Sequence, residues 1–240
     1  MKLLIQFPTF ARAEKFLRVL NEYVETSSSH HQLFFNINCD LSDLSMTNAY
    51  VQERVKYILS KKSNVDGVIN FDRDTEKISA INNHIQDKDF DIVICASDDM
   101  VPKAHGWDNE IAIAMKEHFP ELDGCVSFYD GVRDKIHKDN LITFSILGKK
   151  LYDHFGYIYH PDYKSLYCDD EFTQEVNNLG KVAYIDKLII SHEHWSVGGS
   201  ENHGDLDLAA KKTLHYSGRD EVVFNKRKEL GFPKERITND

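Results

Sequence analysis

The chain has 240 residues, 41% hydrophobic and 28% charged, which are globular proportions that exclude wholesale disorder. Twelve glycines and five prolines exclude collagen-like or low-complexity architecture, and no apolar run approaches the roughly 20 residues of a membrane span. The formal charge is −10, and because residues 211–240 carry eight Lys/Arg against five Asp/Glu, the first 210 residues hold −13. So acidic a chain is a poor non-specific ligand for nucleic acid, whose backbone is bound by cations that displace counterions. Met1–Phe7 is too short for a signal-peptide core and runs into Pro8 and Arg12. Cys39, Cys95, Cys125 and Cys168 lack zinc or disulfide spacing, which predicts reduced thiols and a cytoplasmic protein.

Lys2–Phe7 reads as a short apolar strand ended by Pro8. Residues 11–26 place Phe16, Leu17, Leu20, Tyr23 and Val24 on one helical face. Gln32–Cys39 is strand-like and closed by Asp40, and residues 48–59 return to helical spacing through Val51, Val55, Ile58 and Leu59. Gly67–Phe71 reads as a third strand and Thr75–Ile85 as a helix. Phe90–Ala96 is a continuous apolar strand of the kind buried on both faces of a parallel sheet. This alternation predicts right-handed crossovers, a doubly wound α/β half and a ligand crevice at the carboxyl ends of the strands. Beyond Met100 the expected elements are a helix over Trp107–Phe119, strands at Cys125–Phe128 and Leu141–Leu147, and an irregular aromatic stretch over Tyr152–Tyr167. A helix over Asp170–Leu179, a strand over Val182–Ile190 and a mostly helical, charged tail from Leu206 follow. No repeat and no Pro-, Gly- or Ser-rich linker divides the chain.

Three clusters carry chemistry. Asp98 and Asp99 directly follow the buried strand, so they project where a ligand would sit. Adjacent carboxylates repel unless a cation or donors receive them, and oxygen-rich sites suit Mg²⁺ or Mn²⁺. The plainer alternative is that Asp98 caps a turn and Asp99 is solvated. Asp169, Asp170 and Glu171 open a predicted helix. They suit a general base, or N-capping by Asp169 with the other two favouring the positive end of the dipole. His192-Glu193-His194 follows a strand whose alternation puts both imidazoles on one side, toward a metal, a phosphate or solvent. The spacing is not that of a His-Glu-x-x-His zinc helix. The aromatic segment Gly156–Tyr163 either lines an acceptor site or packs a loop-rich half.

Pro8-Thr9-Phe10-Ala11-Arg12 follows the first strand, Asn38-Cys39-Asp40 ends the second, and Lys77 to Asn82 precede the Asp-Asp strand. The acidic cluster begins 71 residues after Asp98. In this order and spacing, over residues 2 to 195, the sequence resembles nucleotide-sugar glycosyltransferases of the GT-A fold, most of all the large inverting family 2. The resemblance implies a Rossmann-like mixed, mostly parallel sheet flanked by helices. A single domain over residues 1–205 would divide into a nucleotide-binding half, 1–100, and an acceptor and catalytic half, 101–205, followed by a helical tail, 206–240. It implies a UDP-sugar donor, Mn²⁺ or Mg²⁺, and an acceptor hydroxyl on a glycan or, in small phage-like enzymes, on a hydroxylated DNA base. By the same resemblance Pro8, Thr9, Phe10, Arg12, Lys77, Asn82, Ser97 and Asp98 contact the nucleotide sugar. Asp40 receives the uracil N3–H, and Trp107 lies against the donor sugar. The Asp-x-Asp metal motif falls on Ala96-Ser97-Asp98, so its first carboxylate is absent. Asp98, Asp99, His192 and His194 are then the metal candidates. Depending on the alignment, the base is Asp169 or Asp170.

Two other classes compete. A nucleotidyltransferase would need a Gly-rich phosphate loop after the first strand, where Phe7–Ala11 has no glycine, and Gly-x-x-x-x-Gly-Lys is absent altogether. A non-catalytic sugar-nucleotide or protein-binding module would tolerate loss of both Asp169 and Asp170.

Overall fold

A computed structural model describes residues 1–132, 141–193 and 207–237. The first half alternates as its patterning predicts: β1 (Lys2–Thr9), α1 (Ala13–Thr26), β2 (Gln32–Asp40), α2 (Ala49–Leu59), β3 (Val65–Asp72), α3 (Lys77–Asn82) and β4 (Ile92–Cys95). Then come β5 (Met100–Pro102), α4 (Trp107–His118), β6 (Cys125–Tyr129), β7 (Ile146–Gly148), α5 (Lys149–Phe155) and α6 (Cys168–Asn178). The described chain ends with β8 (Val182–Leu188), β9 (Ile190–His192), α7 (Leu208–His215) and α8 (Ser217–Glu229).

Seven strands form one sheet in the order β3-β2-β1-β4-β7-β6-β8, and β5 pairs with β9 in a separate two-stranded sheet. Strands β1 to β4 are mutually parallel where they pair, and β7 runs antiparallel to both of its neighbours. The sheet is therefore mixed and mostly parallel. Leu3, Leu4, Ile5 and Phe7 are all buried, because helices cover both faces of β1. The expected faces of α1 and α2 are the buried ones. Gly67 is required by close approach, since a Cβ there would meet the Phe35 carbonyl oxygen at 2.5 Å. Among the described residues, no helix is long and apolar enough to cross a membrane.

Several boundaries differ from the sequence reading. The helix expected over Thr75–Ile85 shrinks to α3, because buried amides claim carbonyls in its last turn and just beyond it. Gln6 Nε2 donates to Ala80 O (3.2 Å) and Asn83 O (2.7 Å), and Asn36 Nδ2 donates to His84 O (3.2 Å). The strand expected over Leu141–Leu147 is confined to β7, and Val182–Ile190 is broken into β8 and β9. The aromatic stretch begins inside a helix, α5, and Tyr152, Phe155, Tyr159 and Tyr163 are all buried. It packs the core of the second half, and Tyr159 of the same stretch also reaches the wall of the crevice described below.

The C-terminal helices are tied to this core by buried charge. Arg227, on α8, is 0% exposed and grips Glu171 of α6 with two hydrogen bonds of 2.8 Å. It also donates to Asp162 (2.9 Å) and to the carbonyl of Pro233 (2.6 Å). Tyr163 donates to Glu171 (2.6 Å) and the Ile237 N–H to Asp162 (2.8 Å), so both buried carboxylates are served by several donors. Asp220, also 0% exposed, receives the N–H groups of Lys164, Ser165 and Leu166. Removing one partner of such a network strands the others without water.

Arg227→Ala is expected to destabilise the fold by about 3–5 kcal/mol in urea unfolding, because it leaves the buried Glu171 without a cation and takes Arg227 from Asp162, which keeps Arg236. Arg227→Met with Glu171→Leu should recover part of that loss; a double variant as weak as the single one would contradict the argument. Glu175, on α6, gives a pH-dependent counterpart. Burial, reinforced by Glu171, raises its carboxyl to about 7. An acid raised in the folded state favours folding below its unfolded value and loses that contribution as pH climbs through about 7. Glu175→Gln should therefore stabilise the protein by about 1–3 kcal/mol at pH 8 and by almost nothing at pH 4.

Candidate functional site

A crevice of about 390 Å³ opens at the carboxyl edge of β1, β2 and β4, in the size range of small-molecule sites. Its walls include Pro8, Thr9, Phe10 and Arg12 after β1, Asp40 at the end of β2, Lys77 at the start of α3, and Ser97, Asp98 and Asp99 after β4. Across from them stand Asp130, Tyr159, Ser165, Asp169 and His192, with Ala210 and Lys212 from α7 and Tyr216 from its junction with α8. Segments that resemble the nucleotide, metal and base motifs thus meet in one space.

The turn after β1 is held by strain and charge. Ala11 has φ 56°, a left-handed conformation unusual for a residue with a Cβ. Its N–H is fixed by Asp43 Oδ2 at 2.7 Å. Arg12 then reaches back to Asp98 Oδ1 (3.1 Å) and outward to both oxygens of Asp207 (2.6 and 2.8 Å). Asp98 is 4% exposed and also accepts from Thr9 Oγ1 (3.2 Å), with Lys15 Nζ 3.9 Å away. Burial raises its carboxyl, and Arg12 and Lys15 oppose the rise without cancelling it. Each oxygen of the carboxylate aligned with the metal position therefore accepts one hydrogen bond from the protein.

Asp99 is placed differently. Its backbone carbonyl receives the Glu193 N–H (2.7 Å), Ser97 Oγ donates to Oδ1, and the same Oδ1 lies 3.7 Å from His192 Nε2. The β5–β9 pairing, with Met100 opposite His192, creates this neighbourhood. Burial would raise the Asp99 carboxyl, but His192, Ser97, Lys77 and Lys15 together hold it below its ordinary value. Burial lowers the His192 imidazole against the pull of Asp99, which favours the neutral, ligating form. Among the described residues, no group of three or more His, Cys, Asp or Glu side chains is arranged to hold a metal. Asp99 and His192, 3.7 Å apart, form a donor pair in the crevice, and two protein ligands suit a divalent ion whose remaining positions go to phosphates and water. His194 lies outside the described residues.

Asp40, 6% exposed, accepts from Ser42 N (2.8 Å) and Ser42 Oγ (2.6 Å) on one oxygen and from Thr75 N (2.9 Å) on the other. Burial pushes its carboxyl up, but those bonds and the Lys212 charge bring it below its usual value. Lys77 faces the crevice and is exposed. Two of the expected contacts stand elsewhere. Asn82 does not line the crevice; its amide donates to Tyr159 O (2.6 Å) and accepts from Ile158 N (3.0 Å), pinning the loop behind it. Trp107 is 0% exposed, stacks edge-on against Tyr23 (5.1 Å) and donates to the Tyr23 carbonyl (3.0 Å). An indole so enclosed is core, not a sugar contact.

The three acidic residues of the cluster are placed differently. Helix α6 starts at Cys168 behind Tyr167, whose φ is 62°, and no side chain caps it. Asp169 therefore sits within the first turn instead of capping it, and it lines the crevice. Asp170 does not line it, and Glu171 is consumed by Arg227 and Tyr163. Sequence reasoning missed Asp130, Ser165 and the residues of the C-terminal segment, and named Tyr159 only as part of the aromatic stretch. The basic tail and the aromatic stretch were their only traces, and neither says where those side chains fold.

No family model matches the chain, and no curated protein matches it. Solved structures do. A 1–349 fragment of S. aureus TarS in complex with UDP-GlcNAc superposes with a TM-score of 0.61 at 15% identity, covering 95% of this chain and 72% of that one. The mannosyltransferase PcManGT from Pyrobaculum calidifontis, in complex with GDP-Man and Mn²⁺, gives 0.58 at 13% identity and covers 78% of this chain. The present chain spans 54% of that protein's length. Glucosyl-3-phosphoglycerate synthase from Mycobacterium tuberculosis, with Mg²⁺ and UDP, gives 0.54 at 10% identity, over 81% of this chain and 72% of that one. At such identities the likeness concerns architecture, and it is consistent across these structures: the chain has the GT-A fold of nucleotide-sugar glycosyltransferases.

Proposed function

We propose that the protein transfers a sugar from a nucleoside diphosphate sugar, UDP-linked by resemblance, to an acceptor hydroxyl with inversion at the anomeric carbon. One observation carries the reading: Arg12, Asp40, Asp99, His192 and Asp169 face a single crevice at the carboxyl edge of the parallel strands. On this reading the base lies over Phe10 against Asp40. Arg12 and Lys77 face the diphosphate, while Pro8, Thr9 and Ser97 shape the floor. Asp99 and His192 would hold Mn²⁺ or Mg²⁺. Bound there, the ion would neutralise charge on the departing diphosphate. Asp98 instead serves to orient Arg12 and Thr9.

Asp169 is the base in this scheme. Its carboxylate takes the proton of the acceptor hydroxyl as that oxygen bonds to the anomeric carbon and the carbon–phosphate oxygen bond breaks. The nucleoside diphosphate leaves, and the proton remains on Asp169 until solvent removes it. The rigid first turn of α6, anchored by Glu171 and Arg227, holds the carboxylate in place.

A thermal-shift screen of nucleotide sugars with and without Mn²⁺ tests the donor class directly, because a ligand that binds only the folded state raises Tm with concentration. If no nucleotide sugar shifts Tm, the reading falls. For the metal pair, Asp99→Asn combined with His192→Ala should remove at least about tenfold of any Mn²⁺-dependent gain in UDP affinity, while metal-free binding changes little. Retention of the full gain would move the ion elsewhere. For the base, Asp169→Asn should lower turnover by about 10²–10⁴-fold with UDP Kd nearly constant, and Asp170→Asn should keep most of the wild-type rate. Rates followed as UDP release over a panel of hydroxyl acceptors decide it; collapse of Asp170→Asn alone would transfer the role.

A further inference from the structure

One wall of the crevice comes from outside the core sheet. Helix α7 is fastened beside the β1 turn by Asp207, which caps the helix at Ala210 N (2.8 Å) and clasps Arg12. One turn later, Lys212 reaches in. Its ammonium donates to the Thr75 carbonyl (2.9 Å), lies 3.6 Å from Asp40 Oδ2 and stands 4.5 Å from the centre of the Phe10 ring. Thr75 O occupies one of its three N–H groups, leaving donors for a ligand. Asp40 is asymmetric in the same way. Oδ1 already receives two hydrogen bonds from Ser42, whereas Oδ2, the oxygen nearer Lys212, receives one from Thr75 N. The crevice thus presents a donor and an acceptor side by side above an aromatic face.

That pairing matches one kind of base edge. Uracil and guanine each carry a carbonyl oxygen beside a ring N–H, so the carbonyl meets the ammonium and the N–H meets the carboxylate. Cytosine and adenine carry an amine beside a bare ring nitrogen. Donor then faces donor and acceptor faces acceptor, and buried polar groups left unpaired are a strong basis for rejection. Stacking on Phe10 does not discriminate, because every base has a π face.

Resting on the nucleotide-sugar reading above, we propose that Lys212, acting with Asp40, is a base-selecting residue of the donor site. The pair admits nucleoside diphosphates whose base has a carbonyl beside a ring N–H, and it rejects those with an amine beside an unprotonated ring nitrogen. Half of the selecting pair is therefore supplied by the C-terminal segment.

The test is calorimetric affinity for UDP, GDP, CDP and ADP with wild type, Lys212→Met, Lys212→Gln and Lys212→Arg. Wild type should favour UDP or GDP over CDP and ADP by at least about tenfold, the scale of one charge-assisted hydrogen bond. Lys212→Met should lower that ratio about tenfold, mainly by weakening the favoured nucleotide. Lys212→Arg should preserve the ratio, and Lys212→Gln, a neutral donor, should fall between. A ratio measured on one variant cancels any general loosening of α7, which would weaken all four nucleotides alike. Equal weakening of UDP and CDP in Lys212→Met would reduce Lys212 to a passive wall and overturn the proposal. Wild type that binds none of the four would overturn the nucleotide-sugar reading itself, a result plainly different from an unchanged ratio.

Discussion

Everything functional in this chain depends on the parallel alignment of β2, β1 and β4. Because β2 and β4 both pair with β1 in the same sense, their carboxyl ends lie along one edge. The chain reaches β2 through α1 on one side of β1, and later returns to β4 on the other side. That reversal of strand order opens a crevice no side chain from the sheet can fill. Three short segments, Pro8–Arg12, Asp40 and Ser97–Asp99, have nowhere to project but into it.

Both signs of charge meet inside the crevice, where Arg12, Lys77, Lys164 and Lys212 stand among Asp40, Glu76, Asp98, Asp99, Asp130 and Asp169. Lys15 also lies near Asp98. The two adjacent aspartates are kept apart in role by their partners. Asp98 is tied to Arg12 and Thr9, while Asp99 is turned toward His192. Adjacent carboxylates in a low-dielectric pocket would otherwise repel and take up protons. Separate partners let one serve as a structural anion and leave the other beside an imidazole.

The far wall is held by groups more than fifty residues away in sequence. Arg227 fixes Glu171, and Asp220 gathers the N–H groups of Lys164, Ser165 and Leu166, so α8 brackets the segment that carries Asp169. Buried ion pairs add little net stability relative to a well-packed apolar cluster, but separating the partners of one is costly. Their value here is positional. A helix start with a left-handed Tyr167 and no side-chain cap would be a loose platform without them.

Local patterning was enough for the first hundred residues. Period-3.6 apolar faces and continuous apolar runs report burial directly, so β1 to β4, α1 and α2 were legible together with the crevice edge and the acidic residues along it. The length of α3 was not legible, because Gln6 and Asn36 end it from across the sheet. Trp107 and Asn82 have residue types that suit a site, and only packing shows one enclosed by Tyr23 and the other occupied with the 158–159 backbone. Asp98 and Asp99 are indistinguishable as letters; Arg12 and a strand pairing that imports His192 from ninety-odd positions away tell them apart. The same holds for Asp169, Asp170 and Glu171, which the helix turn sends in different directions. Sequence alone therefore determined which elements form in the first half and which edge carries the polar residues, since those follow from the solvation of each segment. Tertiary structure decided which carboxylates are committed and which face the crevice, because that depends on partners brought together only when distant segments close on one another.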